Sequence, residues 1–239
     1  MRIFLDSNMT VGYIITIGYI SLWVNGMTIA ERKEREKNLR REMILKSAKK
    51  IIATSGVEEM SMNQLAEATE LNKATLYLYF ASKDDLIDAI VYEGLKILEK
   101  NFQESDMRSK TGLEKVLNHI NAIFAFYREN PVYFYTFNHQ ERRKASLRME
   151  TPFAKEGNKI AARIFEKTAA ALRSGIKQGS IRKDVDINAF LILMYAQIYG
   201  VMHTIYTKED VYRDVLSLES ATIERSTIEF LQYYLEVIN

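Results

Sequence analysis

An ammonium at Lys73 and a hydroxyl at Thr75 stand two residues apart in the string NKATLYLYFASKDDL. On the first turn of a helix, such a pair suits recognition. A lysine can donate to guanine O6 or N7, and a threonine can offer its hydroxyl or methyl group to a base edge in a major groove. Other chemistries find little material. The three histidines, His119, His139 and His203, lie far apart with no carboxylate at metal-ligand spacing, and there is no glycine-rich phosphate loop or G-x-S-x-G elbow. The absence of cysteine removes disulfides, thiolate catalysis and cysteine-based zinc sites together. We expect neither an enzyme nor a bound metal or cofactor.

Two short helices and a third must position Lys73 and Thr75. Ser61 can cap the first, with Gln64 completing a capping box and Leu65, Ala66 and Thr69 facing inward. The Leu71-Asn72 step breaks it. Asn72 can cap a second helix on which Leu76 and Phe80 share an inner face, and Ser82 opens a third. Upstream, a helical stretch from about Glu34 to Thr54 carries Ile44, Ala48, Ile51 and Ile52 on one side, and Gly56 sits where a left-handed C-cap is expected. Together these elements have the grammar of a helix-turn-helix DNA reader.

As whole strings, NKATLYLYFASKDDL and the preceding L-A-E-A segment closely resemble the DNA-binding domain of the tetracycline-repressor (TetR) family of bacterial regulators, strongly over residues 35 to 90 and in outline beyond. The resemblance adds Asn63 to Lys73 and Thr75 as base-reading residues, and it implies phosphate contacts from Tyr77, Tyr79 and Lys83. Physical warrants exist for these. A tyrosine hydroxyl can donate to phosphate, and Lys83 stands on a first helical turn, where free backbone N–H groups already favour an anion. An aromatic at the Tyr77 spacing is also a frequent core residue. Ala74 departs from the glycine often found there in the family, yet still permits close backbone approach.

The charge pattern fits such a reader. Net charge is only +2, but residues 28 to 55 hold nine basic side chains against four acidic ones. Neutralising phosphates releases counterions and supplies most sequence-independent affinity. The alternating Lys, Arg and Glu between 31 and 42 would equally suit a solvated helix face with i,i+4 pairs. We expect the first of these basic residues to form a mobile arm and the later ones to lie near the DNA backbone.

Beyond residue 86 the chain becomes a series of long amphipathic segments. At 239 residues, 47% hydrophobic and with two prolines, it can bury a sizeable core of helices, and an all-α fold is favoured. The fourth helix is expected from Lys83 to about Glu104, followed by the polar connection SDMRSK. Thr111 and Glu114 form a capping box for a fifth, which should stop at Asn130-Pro131. A sixth is expected over 131 to 147. Thr151-Pro152 starts a seventh that Gly179 ends, Asp186 caps an eighth, and a ninth runs from about Leu218 to Val237. The eighth, INAFLILMYAQIYGVMHTIY, is apolar on nearly every side, so it must be buried in a core or against another copy of itself. The family resemblance implies a two-fold homodimer joined through the last two helices as a four-helix bundle, reading a palindromic operator in double-stranded DNA.

Aromatic side chains are dense between the fourth and eighth helices: Phe102, Phe124, Phe126, Tyr127, Tyr133, Phe134, Tyr135, Phe137, Phe153 and Phe165. Plain core packing is the ordinary role of each. The resemblance implies a ligand pocket here, in which a small-molecule effector shifts the population toward a conformation that fits DNA poorly. Phe102, His119, Phe124, Tyr127, Phe137, Phe165, Tyr195 and His203 are the candidate lining, with the two histidines and two tyrosines as its polar part. No arginine or carboxylate cluster occupies the expected inward positions, so an apolar or aromatic molecule is favoured.

The division expected is an apolar extension over 1–26, a helix-turn-helix domain over 27–82 and a helical ligand-binding and dimerisation domain over 83–239. Residues 11 to 24, VGYIITIGYISLWV, carry three readings. Translation can begin at Met27, giving an ordinary family N-terminus. The run can be a loosely packed helical extension. Or it can anchor in a membrane, although 14 residues fall short of the roughly 20 needed to span. The first reading is favoured, with a cytoplasmic location. Under the last, the protein would be a membrane-associated interaction protein whose helix-turn-helix serves protein contacts.

Overall fold

The computed structural model describes residues 28–107, 109–143 and 151–236. The apolar run at 11–24 and the Met27 question lie outside them. All regular structure among the described residues is helical: α1 Ile29–Glu59, α2 Met62–Thr69, α3 Lys73–Tyr79, α4 Lys83–Asp106, α5 Gly112–Glu129, α6 Pro131–Arg142, α7 Pro152–Gln178, α8 Ile187–Leu216 and α9 Ser220–Leu235. Two compact units, Met1–Lys46 and Ser47–Asn239, divide the chain within α1.

In the first unit, the described residues form the start of α1. The Glu31 carboxylate accepts from the Thr28 backbone N–H at 2.7 Å, and the Thr28 hydroxyl accepts from the Glu31 N–H at 3.2 Å. This reciprocal cap starts the helix at Ile29, so the arm expected at the first basic residues is helical instead. Residues 31 to 40 are all exposed, as a solvated, charge-alternating face requires.

In the second unit, α1 is interrupted at Gly56, whose φ of 83° and ψ of 168° lie in a region open essentially to glycine. The expected C-cap is therefore a kink followed by a short helical continuation to Glu59. The reader comes next. Both halves of the Ser61–Gln64 capping box are present, and α2 stops at Glu70 in the left-handed region, φ 54°. Asn72 Oδ1 caps α3 by accepting from the Thr75 N–H at 2.7 Å. Seven residues are too few for a helix to hold by itself, so α3 depends on the burial of Leu76 and Phe80, both 0% exposed.

The body is built on α4, which packs against α5, α6 and α7, while α5 also meets α7, α8 and α9. Its core includes Val116, Ile120, Phe124, Phe134, Leu172, Phe190, Met202 and Leu231. Each such side chain contributes about 1.5–3 kcal/mol relative to exposure. α5 and α7 touch at glycines: a Cβ on Gly112 would lie 2.2 Å from the Gly175 nitrogen. The expected starts and stops at Thr111, Asn130-Pro131, Thr151-Pro152, Gly179 and Asp186 all appear. α6 ends at Arg142, where Arg143 turns extended (ψ 151°), short of the expected 147, and residues 144–147 of that span lie outside the described residues. α8 runs past Tyr206 to Leu216 through a kink at Lys208, φ −141°. Its segment Ile187–Lys208 is the one described helix long and apolar enough to cross a membrane by length and composition. Here it packs on α5, α7 and α9.

Candidate nucleic-acid interface and effector cavity

On the reader, the structure places Asn63, Lys73 and Tyr77 on the exposed surface and Thr75 and Tyr79 at its edge. Tyr77 is 45% exposed and so stands outside the core. Thr75 is partly committed, since its hydroxyl donates to Asn72 Oδ1 at 2.8 Å. This holds its side chain in one rotamer and leaves the hydroxyl lone pairs and the methyl group for a neighbour. The same helix carries Leu78 at 80% exposure. An apolar side chain that exposed can meet a thymine methyl.

The base of the reader is tied to the body by charge. Lys83 donates from Nζ to the Glu58 backbone carbonyl at 3.0 Å. The Glu58 carboxylate meets His139 Nδ1 at 3.2 Å and Arg142 at 2.6 Å. The hydrogen bond from His139, opposed by a smaller effect of burial and helped by the charges of Arg142 and Lys83, holds the Glu58 carboxyl below its ordinary range. One turn further along α4, Asp88 is fully buried and accepts from Arg143 at 2.7 Å, Thr151 at 2.8 Å and Gln140 at 2.9 Å. Burial pushes its carboxyl up, and these donors oppose the shift. Lys49, one of the basic residues expected near DNA, is bound at 2.6 Å to Glu93 and at 3.3 Å to the Tyr133 hydroxyl. It therefore joins α1 to α4 and α6. None of these long-range partners has a local sequence signal.

A cavity of about 100 Å³ lies in the body, walled by α4, α5, α6, α7 and α8. Of the eight residues expected to line it, Phe102, Tyr127, Phe137, Phe165 and Tyr195 do so. The other three lie elsewhere. His119 is wholly buried behind the wall, stacked on Phe102 at 4.1 Å, with Nδ1 3.1 Å from the Thr168 hydroxyl and Nε2 3.0 Å from Asp106. Burial pushes its imidazole down, with Asp106 opposing. Phe124 belongs to the packed core. His203 is exposed on α8, one turn past Tyr199, because the stripe formed by Tyr195, Tyr199 and His203 runs beyond the cavity. Phe134, from the aromatic cluster but not among the eight, also lines the space, as do Thr168 and Tyr199, which were missed. Tyr199, four residues from Tyr195, could have been found from that spacing. Thr168 gave no signal.

Residues 44–90 match the family described as bacterial regulatory proteins, tetR family. The fatty acid metabolism regulator protein of Bacillus subtilis is 20% identical over 191 residues, covering 80% of this chain and 95% of that protein. Among solved structures, the transcriptional regulator FadR from Bacillus subtilis, in complex with stearoyl-CoA, superposes with a TM-score of 0.65 at 17% identity, over 82% of this chain and 99% of that one. The ketosteroid transcriptional regulator KstR2 of Mycobacterium tuberculosis gives 0.64 at 16% identity, over 83% and 96%. At such identities the likeness speaks for the fold, while the family match speaks for the reader. The two agree over different parts of the chain: residues 44–90 are a reader of the tetR family, and the chain as a whole shares its fold with FadR and KstR2.

Proposed function

We propose that the protein is a dimeric, ligand-responsive repressor that leaves a palindromic operator when a small apolar or aromatic molecule occupies the cavity in its body. The observation that carries this reading is the continuity of α4. At its first turn, the Ser82 hydroxyl accepts from the Asp85 N–H and Lys83 grips the end of α1, beside the reader. Three turns on, Leu95, Leu98 and Phe102 of the same helix wall the cavity. A packed helix moves as a rod, so a molecule that displaces those side chains acts on the reader's foundation.

On this reading, residues 27–82 bind DNA and residues 83–239 sense the ligand and dimerise. Lys73 and Thr75 read bases with Asn63, and Tyr77, Tyr79 and Lys83 hold phosphates. Ile192 and Leu193 on α8 and Phe230 and Tyr233 on α9 are 63%, 52%, 57% and 67% exposed in the single chain, and such apolar side chains suit a helical interface with a second copy. Two readers related by a dyad match a palindrome, and the place of action is the cytoplasm.

Retardation of the DNA upstream of the protein's own gene tests the proposal. Binding should fall steeply with salt, and Lys73→Ala should cost about 1–3 kcal/mol and relax sequence preference. Unchanged retardation in both Lys73→Ala and Tyr79→Phe would refute the reader assignment.

A further inference from the structure

We propose that the cavity selects a neutral, compact, mostly apolar molecule with one hydrogen-bonding group, and that the Tyr127 hydroxyl meets that group. This rests on the reading that the cavity holds the effector. Its size sets the first limit. A cavity of about 100 Å³ is smaller than the roughly 150 Å³ engineered cavity known to bind benzene. One ring, with modest adjustment of the walls, is the natural occupant.

Charge sets the second limit. The lining is aliphatic, aromatic or hydroxyl-bearing, and none of it is ionic at neutral pH. A carboxylate or phosphate entering would lose its water without gaining a cation, and groups so placed neutralise or stay out.

Hydrogen bonding sets the third. Two of the lining hydroxyls are already engaged: Thr168 is 3.1 Å from His119 Nδ1, and Tyr199 donates to Asn138 Oδ1 at 2.5 Å. Tyr195 stacks on Tyr199 with centroids 6.1 Å apart. Tyr127 differs. Its backbone carbonyl accepts from the Tyr206 hydroxyl at 2.6 Å, but among the described residues no hydrogen bond reaches its own phenol. Burial, the leading cause, pushes its ionisation well up, so the O–H is retained at neutral pH. A hydroxyl on the wall of an apolar cavity, with no protein partner among the described residues, gains free energy when a ligand supplies one.

Three probes of one shape test this: p-xylene, p-cresol and 4-methylbenzoate, titrated calorimetrically at pH 7 into the full-length protein and its Tyr127→Phe variant. Both neutral probes should bind the natural protein, and 4-methylbenzoate should bind at least tenfold more weakly than p-cresol. Tyr127→Phe should weaken p-cresol on the order of tenfold and leave p-xylene within about twofold, which also shows that the variant is folded. An equal response of both neutral probes to Tyr127→Phe would remove Tyr127 from the role. Binding of 4-methylbenzoate as tight as that of p-cresol, or displacement of p-xylene by stearoyl-CoA, would overturn selection for neutral molecules while leaving the cavity as the ligand site. If no probe binds and none releases the protein from DNA, the cavity reading falls as well.

Discussion

Lys83, on the first turn of α4, donates to the backbone carbonyl of Glu58 at the end of α1, 3.0 Å away and 25 residues back in the chain. Carbonyls in a last helical turn have no partner within the helix, so the ammonium supplies one. An ammonium has three donors, and this bond leaves two for a phosphate. Lys83→Ala should therefore weaken operator binding and lower the slope of log K against log salt by about one, with a small loss of stability. The check is retardation measured between about 50 and 200 mM salt. Weaker binding with an unchanged slope would mean that Lys83 acts only by fixing the reader's base.

Asp88 gathers three donors from both sides of residues 144–150: Gln140 and Arg143 before them and Thr151 after. With its side chain wholly buried, removing the carboxylate would take from Arg143, itself only 10% exposed, the anion it meets at 2.7 Å. Asp88→Ala should destabilise by about 3–5 kcal/mol, and Asp88→Asn by less, since the amide keeps the shape and one acceptor. Urea midpoints of the two variants would measure this. A loss below about 1 kcal/mol in Asp88→Ala would show that the node behaves as a surface pair.

His119 ties stability to pH. Burial depresses its folded pKa below the ordinary histidine value of about 6.5, with Asp106 opposing. The unfolded chain thus binds more protons than the folded one across that interval. Stability from this group is fully present above about pH 6.5 and is lost as pH falls toward the folded value. Melting temperature should decline from pH 7 to pH 5, and His119→Gln, whatever its absolute stability, should flatten that limb. An equal slope in the variant would assign the decline to other groups.

The features legible in the sequence share one property: their partners lie within three or four residues. Ser61 with Gln64, Thr111 with Glu114 and Asp186 at the head of α8 are closed by local hydrogen bonds that residue types and spacing specify. So are the stops at Asn130-Pro131 and Gly179, where proline or a positive φ dictates the break. What escaped depends on how helices are rotated against one another. His119 and His203 both look like polar pocket residues by composition, yet one is walled off by Phe102 and the other passes beyond the cavity end. Thr168 looks neutral in mid-helix until α7 is set against α5, where its hydroxyl meets His119. Lys83 pointed correctly to a first helical turn, but its bond to Glu58 is a long-range event that no local pattern encodes.

Phe230, 57% exposed on α9, and Gly200 on α8 line one groove of about 520 Å³ on the face proposed to join two copies. Space at Gly200 is open, with nothing within 4 Å of an added Cβ in the single chain. A side chain from a second copy can fill such a groove, and burying apolar surface there would hold the readers at a fixed spacing. Because Phe230 is already largely solvated, Phe230→Glu should change the stability of the fold by no more than about 0.5 kcal/mol. In a dimer, however, the new carboxylate would be desolvated twice across the dyad, facing its own copy. Sedimentation of the variant at micromolar concentration should show a monomer with native helix content. Operator affinity should drop with it, since one reader holds only half of the phosphate contacts. A variant that sediments as a dimer and retards DNA normally would exclude the α8–α9 face as the interface.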